Sequence, residues 1–170
     1  MKTNQDMKIV SERKSVLASL ASLAVHPMKT FAEPDQQVDE LARAVIGATI
    51  EVHRHLGPGY LEGIYEEALF VELVDAGIPV ERQKEISVSY KGRSIGKHRL
   101  DLLVGGKLVV ELKAVEELAE IHKAQVISYL KTTGLQLGLL INFNVPILRN
   151  GIQRVIYTDN KTVPTPGVPR

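Results

Sequence analysis

The chain has 170 residues, 44% of them hydrophobic and 24% charged, the composition of one globular domain with a proper core. Its formal net charge is +1, so bulk charge marks it for no polyanion, and any such binding must come from the arrangement of charges. The absence of cysteine excludes disulfides, thiolate zinc sites and a cysteine nucleophile and fits a reducing cytoplasm, and no apolar run approaches the ~20 residues that span a bilayer.

Residues 1–38 read as a poorly ordered extension. VLASLASLAV at 16–25 follows Lys8, Arg13 and Lys14 and loosely imitates a signal peptide. Its apolar stretch is short and rich in Ala and Ser, and no small-x-small cleavage site appears before Pro27. From Asp39 to Leu56, Leu41, Val45, Ala48, Val52 and Leu56 fall at four- and three-residue steps, the stripe of an amphipathic helix. Gly57-Pro58-Gly59 breaks it. A second helix is expected from about Leu61 to Ala76, with Leu61, Ile64, Ala68 and Val71 on its buried side and Gly77 and Pro79 as its stop.

The period then changes. Ile86, Val88 and Tyr90 alternate with polar neighbours up to a Lys91-Gly92 turn, giving a first strand. RLDLLVGGKLVVELKA, 99–114, supplies a second and a third. Residues 120–133 return to helical spacing and end at Gly134, LQLGLLINF at 135–143 has the length of a buried strand, and Gly151 to Thr158 can add one more. Three consecutive strands form a meander, and a strand reached through a helix tends to run parallel to its partner. The order therefore predicts an α+β mixed sheet packed between helices over residues 39–158, followed by a loose tail at 159–170.

Asp101, Glu111 and Lys113 interrupt the most core-like stretch. A two-residue Gly105-Gly106 loop would place Leu100 beside Glu111 and Asp101 beside Val110, mixing charged with apolar groups. A three-residue loop, Gly105-Gly106-Lys107, pairs Val104 with Leu108, Leu102 with Val110 and Leu100 with Leu112, a wholly apolar face. The opposite face then sets Asp101 against Glu111, with Arg99 and Lys113 beyond. Two ionised carboxylates ~5 Å apart repel by roughly 3 kcal/mol at an effective dielectric near 20. A divalent cation reverses that sign, and hard oxygen ligands suit Mg2+ or Mn2+. The bland alternative is a solvated face on which each acid pairs with Arg99 or Lys113. The apolar flanks and the forced opposition favour a site.

Asp101 followed by Glu111-Leu112-Lys113 on the next strand resembles the PD-(D/E)XK nuclease signature. Upstream, Gly59-Tyr60-Leu61-Glu62-Gly63-Ile64-Tyr65 is similar to the name-giving motif of the GxxExxY proteins, a bacterial family within that superfamily. The surrounding text over about residues 40–157 resembles the family as well. The usual proline before the aspartate is absent, and Leu100 stands there.

The resemblance implies a restriction-endonuclease-like core, a central mixed sheet flanked by helices, in an enzyme that hydrolyses phosphodiester bonds with Mg2+ or Mn2+. It implies Asp101, Glu111 and the backbone carbonyl of Leu112 as metal ligands, with Glu62 as a further acidic ligand. Lys113 would orient or help deprotonate the attacking water. Gln125 would contact a phosphate with Tyr129 in support, and Tyr65 would pack over the site or touch a phosphate. Glu62 has a plainer reading as a first-turn carboxylate favoured by the helix dipole, and Gln125 and Tyr129 another as a pair at the helix–sheet boundary. His53 and His55 cannot easily share an ion, since neighbouring helical residues face apart. The expected partner is nucleic acid, DNA ahead of RNA, with no membrane. A homodimer is the arrangement many such folds use, because one small site cuts one strand. The alternative is a catalytically silent module that uses the same groove to bind nucleic acid or a protein.

Overall fold

The computed structural model describes residues 34–158. The expected loose segments 1–38 and 159–170 lie outside the described residues except for 34–38. These open the first helix, α1 (Gln36–Leu56), ahead of the apolar stripe. Asp35 is the reason: its side chain accepts from the Gln37 N–H at 3.3 Å, the N-cap role that short acidic side chains fill well. The second helix, α2 (Glu62–Asp75), ends before Gly77 as expected. Its buried side differs from the expected one. Leu61, Ile64 and Val71 are exposed, whereas Tyr65, Leu69 and Leu73 are fully buried with Ala42, Val45 and Val52 of α1. Apolar side chains surround most of this helix, so spacing alone does not choose a face, and packing does.

Five strands follow among the described residues: β1 (Val80–Tyr90), β2 (Arg93–Val104), β3 (Leu108–Lys113), β4 (Leu137–Asn142) and β5 (Ile152–Ile156), side by side in chain order. All neighbours are antiparallel except β3 and β4, which are parallel and joined through α3 (Glu120–Thr133). This is the mixed sheet that the element order predicts. Helices α1 and α2 cover one face over Leu102, Val104, Val110, Leu112, Leu139 and Ile141. Helix α3 covers the other over Leu100, Val109 and Leu140.

The β2–β3 hairpin takes the longer loop. Val104 pairs with Leu108 and Leu102 with Val110, and the Lys107 N–H donates to the Val104 carbonyl at 3.1 Å. Both loop glycines sit at positive φ, 57° and 66°, the left-handed backbone such a loop needs. The third expected pair, Leu100 with Leu112, does not form. Leu100 belongs to the α3 face and Leu112 to the α1–α2 face, so the chain switches sides at Asp101.

Beyond β3 the chain is tied down by Asn142, which is 1% exposed. Its Oδ1 accepts from the N–H groups of Val115 at 3.1 Å and Asn144 at 3.2 Å, and its Nδ2 donates to the Val115 carbonyl at 2.8 Å. The Phe143 N–H donates to the Lys113 carbonyl at 2.8 Å. These bonds fix the end of β3 and hence the backbone that carries Lys113. Asn142→Ala leaves both polar groups of the half-buried Val115 without their partner, an expected loss of about 1–2 kcal/mol. Urea unfolding of the two proteins measures it, and an unchanged midpoint would show that the clamp contributes nothing.

Candidate active site

Asp101 lies where both ladders of β2 are interrupted. Toward β1, Arg82 pairs with Leu102 and Lys84 with Leu100, but Gln83 between them has φ 50° and forms no ladder pair with Asp101. Toward β3, the ladder stops at Leu102 and Val110. The expected opposition of Asp101 and Glu111 is therefore not a ladder pair. Instead Asp101 Oδ2 accepts from the Leu112 N–H at 2.8 Å, which satisfies an amide that the parting strands would otherwise leave bare.

Glu111 is the most costly group in this centre. It is 2% exposed, and its Oε2 is buried without a hydrogen-bond donor among the described residues. Its other oxygen, Oε1, accepts from Lys113 Nζ at 2.5 Å, and the same ammonium donates to the Leu112 carbonyl at 3.0 Å. Burial first, and the Asp101 charge second, push the Glu111 carboxyl up to about 7 against the pull of Lys113. Asp101 is raised mainly by burial, opposed by the Leu112 amide and Lys113. For Lys113, burial lowers the pKa, but the Glu111 hydrogen bond and the charges of Glu111, Glu62 and Asp101 outweigh it and raise the ammonium above its ordinary range. The lysine is thus a charged donor at this centre, suited to orienting water and balancing negative charge rather than to accepting a proton.

Glu62 opens α2 at the rim of the same centre. Burial raises its carboxyl, Lys113 draws it down, and Asp101 and Glu66 push it up again. The glycine-rich turn makes that placement possible. Gly59 has φ 108°, a conformation that side chains rarely tolerate. The Tyr65 hydroxyl ties the turn down by donating to the Gly57 carbonyl at 2.7 Å and accepting from the Tyr60 N–H at 3.1 Å. Tyr65 is fully buried, with its ring stacked on Phe143 at 4.2 Å. The expected substrate contact by Tyr65 therefore gives way to a structural role, in which it anchors the turn that delivers Glu62.

On α3, Gln125 Nε2 donates to the Tyr129 hydroxyl at 2.5 Å. Burial, and then the Glu111 charge, raise the Tyr129 phenol, which stays protonated. The spacing-based pair thus stands together beside the acids, and the ring of His98 meets Tyr129 edge-on at 5.2 Å. His53 is bonded to the Val145 carbonyl and His55 to that of Glu51, so the two do not share a site. His122 accepts from the Ala119 N–H at the start of α3.

Three residues that the motifs do not mark brace the acids. Glu66 is 7% exposed and is held by Arg82 Nε at 3.0 Å and by Gln83 Nε2 at 2.6 Å. Arg82 also pairs with Glu67. The bond from Gln83 joins α2 to the left-handed residue across from Asp101. One signal was present in the chain: Glu66 lies four positions after Glu62, on the same helical face. Its partners on β1 carry no local cue.

Among the described residues no three His, Asp or Glu side chains close on a common point. The donors that Asp101, Glu111 and the Leu112 carbonyl supply are two carboxylates and one backbone oxygen, and Glu62 stands further out. The set fits a hard divalent cation, because the unpartnered Glu111 Oε2 is a buried acceptor in need of positive charge. A mixed sheet between helices, with an acid pair and a lysine where the central strands part, has the architecture of a restriction-endonuclease-like fold. The family model for the PD-(D/E)XK nuclease superfamily matches residues 39–155, and the chain belongs to that superfamily. No curated protein and no solved structure matches it at a significant level.

Protonation of Glu111 links this centre to stability. Its folded pKa of about 7 lies above the ordinary 4.5, so the folded state binds the proton more tightly than the unfolded chain. The resulting stabilisation is complete below about pH 4.5 and is lost as pH rises through about 7. In chelator, the wild type is expected to lose up to about 3 kcal/mol between pH 4.5 and 7.5, and Glu111→Gln to lose much less. Urea titrations at the two pH values measure the difference, and equal slopes for both proteins would contradict it.

Proposed function

We propose that this protein is a divalent-cation-dependent nuclease of the GxxExxY kind, hydrolysing phosphodiester bonds of nucleic acid, with DNA as the first substrate and Mg2+ or Mn2+ as the cation. Residues 39–158 form the catalytic unit in this reading, with 1–38 and 159–170 as flanking segments. One observation carries the proposal: a buried carboxylate, Glu111, has one oxygen without a partner beside a second carboxylate and a lysine. A merely structural sheet gains nothing from that arrangement, which leaves an acceptor desolvated and two like charges together.

The cation would be held by Asp101, Glu111 and the Leu112 carbonyl, with Glu62 reaching it directly or through water. When bound, it supplies Lewis acidity toward water and a phosphoryl oxygen. The chain's own residues do the rest. Lys113 turns its ammonium from Glu111 toward the water or the phosphate, orienting the first and balancing the charge that builds on the second. Gln125, positioned by Tyr129, offers its amide to a neighbouring phosphate oxygen. Water forms the new P–O bond, the bond to the 3′ oxygen breaks, and that oxygen takes up a proton, leaving the phosphate on the 5′ side.

A second reading has its own observation. Lys113 already spans Glu111 Oε1 and the Leu112 carbonyl, and a silent module that neutralises its own acids would look the same. Incubation with single-stranded, double-stranded and branched DNA and with RNA separates the two. The nuclease is expected to cut in Mg2+ or Mn2+, to stop in chelator, to lose all cutting with Asp101→Ala and to slow by about 10²–10³-fold with Lys113→Ala. Absence of any cutting that needs both the cation and Asp101 would remove the enzymatic reading. Retained or tighter oligonucleotide binding by Glu111→Gln, in a protein that never cuts, would favour the module.

A further inference from the structure

The outer halves of β1 and β2 leave the sheet. β3 pairs with β2 only from Leu102 to Val104, whereas β1 and β2 continue as partners from Lys84 and Leu100 out to Tyr90 and Arg93. The result is a two-stranded arm closed by Lys91 and Gly92, both at positive φ, 50° and 76°. That two-residue turn matches the right-handed twist of a ribbon, and the ladder behind it shifts register once, between Val88 and Ser89, leaving Ile95 unpaired. The root of the arm lies at the candidate site. Ile86 and His98 face each other there, Ile86 packs on the α3 cluster, His98 meets Tyr129, and Asp101 is three residues further along β2.

The charge on this arm is one-sided. Residues 84–99 carry Lys84, Lys91, Arg93, Lys97 and Arg99 against Glu85 alone, four positive charges in excess in a chain whose total is +1. Lys84 is paired with Glu81 and Lys97 with Glu85. Lys91, Arg93 and Arg99 are exposed, with Lys91 Nζ 5.4 Å over the Tyr90 ring and Arg99 opposite Glu85 in the ladder, close enough to help Lys97 hold that carboxylate's pKa down. Charges on a bare strand edge deter pairing with other chains, but either sign serves that end, and here the sign is biased. The tip adds apolar surface that edge protection does not explain, with Tyr90 60% and Ile95 65% exposed.

We infer that this arm is the nucleic-acid-binding element of the protein: Arg93, with Tyr90, and Arg99, with Glu85, stand on opposite faces of the ribbon, so that these two arginines and Lys91 at the tip reach a phosphodiester backbone lying along the free β2 edge from both sides, with Tyr90 offered to a base. The inference rests on the nuclease reading for its partner and extends it by assigning the surface. A phosphate chain led along the arm toward its root arrives at Arg99, two positions before Asp101. The acids themselves repel phosphate, so affinity has to be supplied nearby, and the arm is a concentrated source of positive charge beside them. A tyrosine at the tip gives sequence-tolerant stacking on an unpaired base.

The test uses the full chain carrying Asp101→Asn, so that nothing is cut, with fluorescein-labelled DNA single strand, DNA duplex and RNA of about 25 nucleotides, and anisotropy read over a salt series. Joint replacement of Lys91, Arg93 and Arg99 by Gln is expected to weaken binding at least about tenfold and to lower the salt slope by about 2–3. The same charge change at Arg43, Lys131 and Arg149, exposed and away from the arm, is expected to leave affinity within about twofold. Thermal midpoints and Mn2+ affinity, measured without nucleic acid in the Asp101 background, should be unchanged in both sets. Which probe binds tightest decides between DNA and RNA. Equal weakening by the two triple variants, or none by the arm variant, would overturn the arm and leave cutting by the wild type to judge the nuclease reading separately. Absence of binding to every probe would also overturn it. Loss of binding in the arm variant, in a protein that never cuts, would uphold the arm while the catalytic reading fell.

Discussion

A desolvated carboxylate sets the terms for everything around it. Glu111 is surrounded by apolar strands and by α3, and one of its oxygens meets no donor among the described residues. In such a place an ionised acid needs a cation, or it keeps its proton. Lys113 answers half of the need from two residues away, bonding one oxygen and the neighbouring carbonyl. The other half stays open toward Asp101. Replacing Glu111 with a leucine would suit the sheet better, so its presence is an argument from chemistry rather than from folding.

The backbone is shaped to hold this conflict. A regular ladder through Asp101 would consume the Leu112 amide and set the two acids in rigid opposition. Instead the strands part, the Asp101 carboxylate takes that amide, and Leu100 crosses to the other face. Gln83 adopts a left-handed backbone at the same level, and its side chain grips Glu66 of α2. The strained residue is therefore tied to the helix that carries Glu62. A tight turn, a buried tyrosine and an arginine–glutamate pair thus converge on one outcome: three acids on three separate elements share the charge of one lysine.

Much of this was legible along the chain because strand parity and turn length are local rules. The Gly105-Gly106-Lys107 loop followed from asking which register keeps Val104, Leu102, Val110 and Leu108 together, and the observed pairs agree. The order of helices and strands, the parallel β3–β4 pair and the closeness of Gln125 to Tyr129 came from spacing in the same way. The misses share a cause too. α2 is apolar on several sides, so its packed face was set by α1 and not by its own period. The flip at Leu100 depends on a side chain binding an amide eleven residues ahead. Arg82, Gln83 and Asn142 act on partners fifteen or more residues away, where no spacing rule reaches. A motif tells which residues go together, not which of them face solvent, and of the two roles open to Tyr65 its burial favours packing over a phosphate contact.

A phosphodiester strand approaching Asp101, Glu111 and Glu62 meets more negative charge than Lys113 can offset. A divalent cation at the acids would correct the balance over a few ångströms, yet at ordinary ionic strength its influence would fade within about 8–10 Å. Capture of a long polyanion by a chain of formal charge +1 therefore needs a second source of positive potential at a distance from the first. The free ribbon of β1 and β2 has the sign, the exposure and the direct covalent link to Asp101 that such a source requires. Separating the two has a kinetic merit as well. Charges that only hold the backbone weaken with salt and release the strand readily, while the buried acids and lysine, screened far less, keep their geometry under the same conditions.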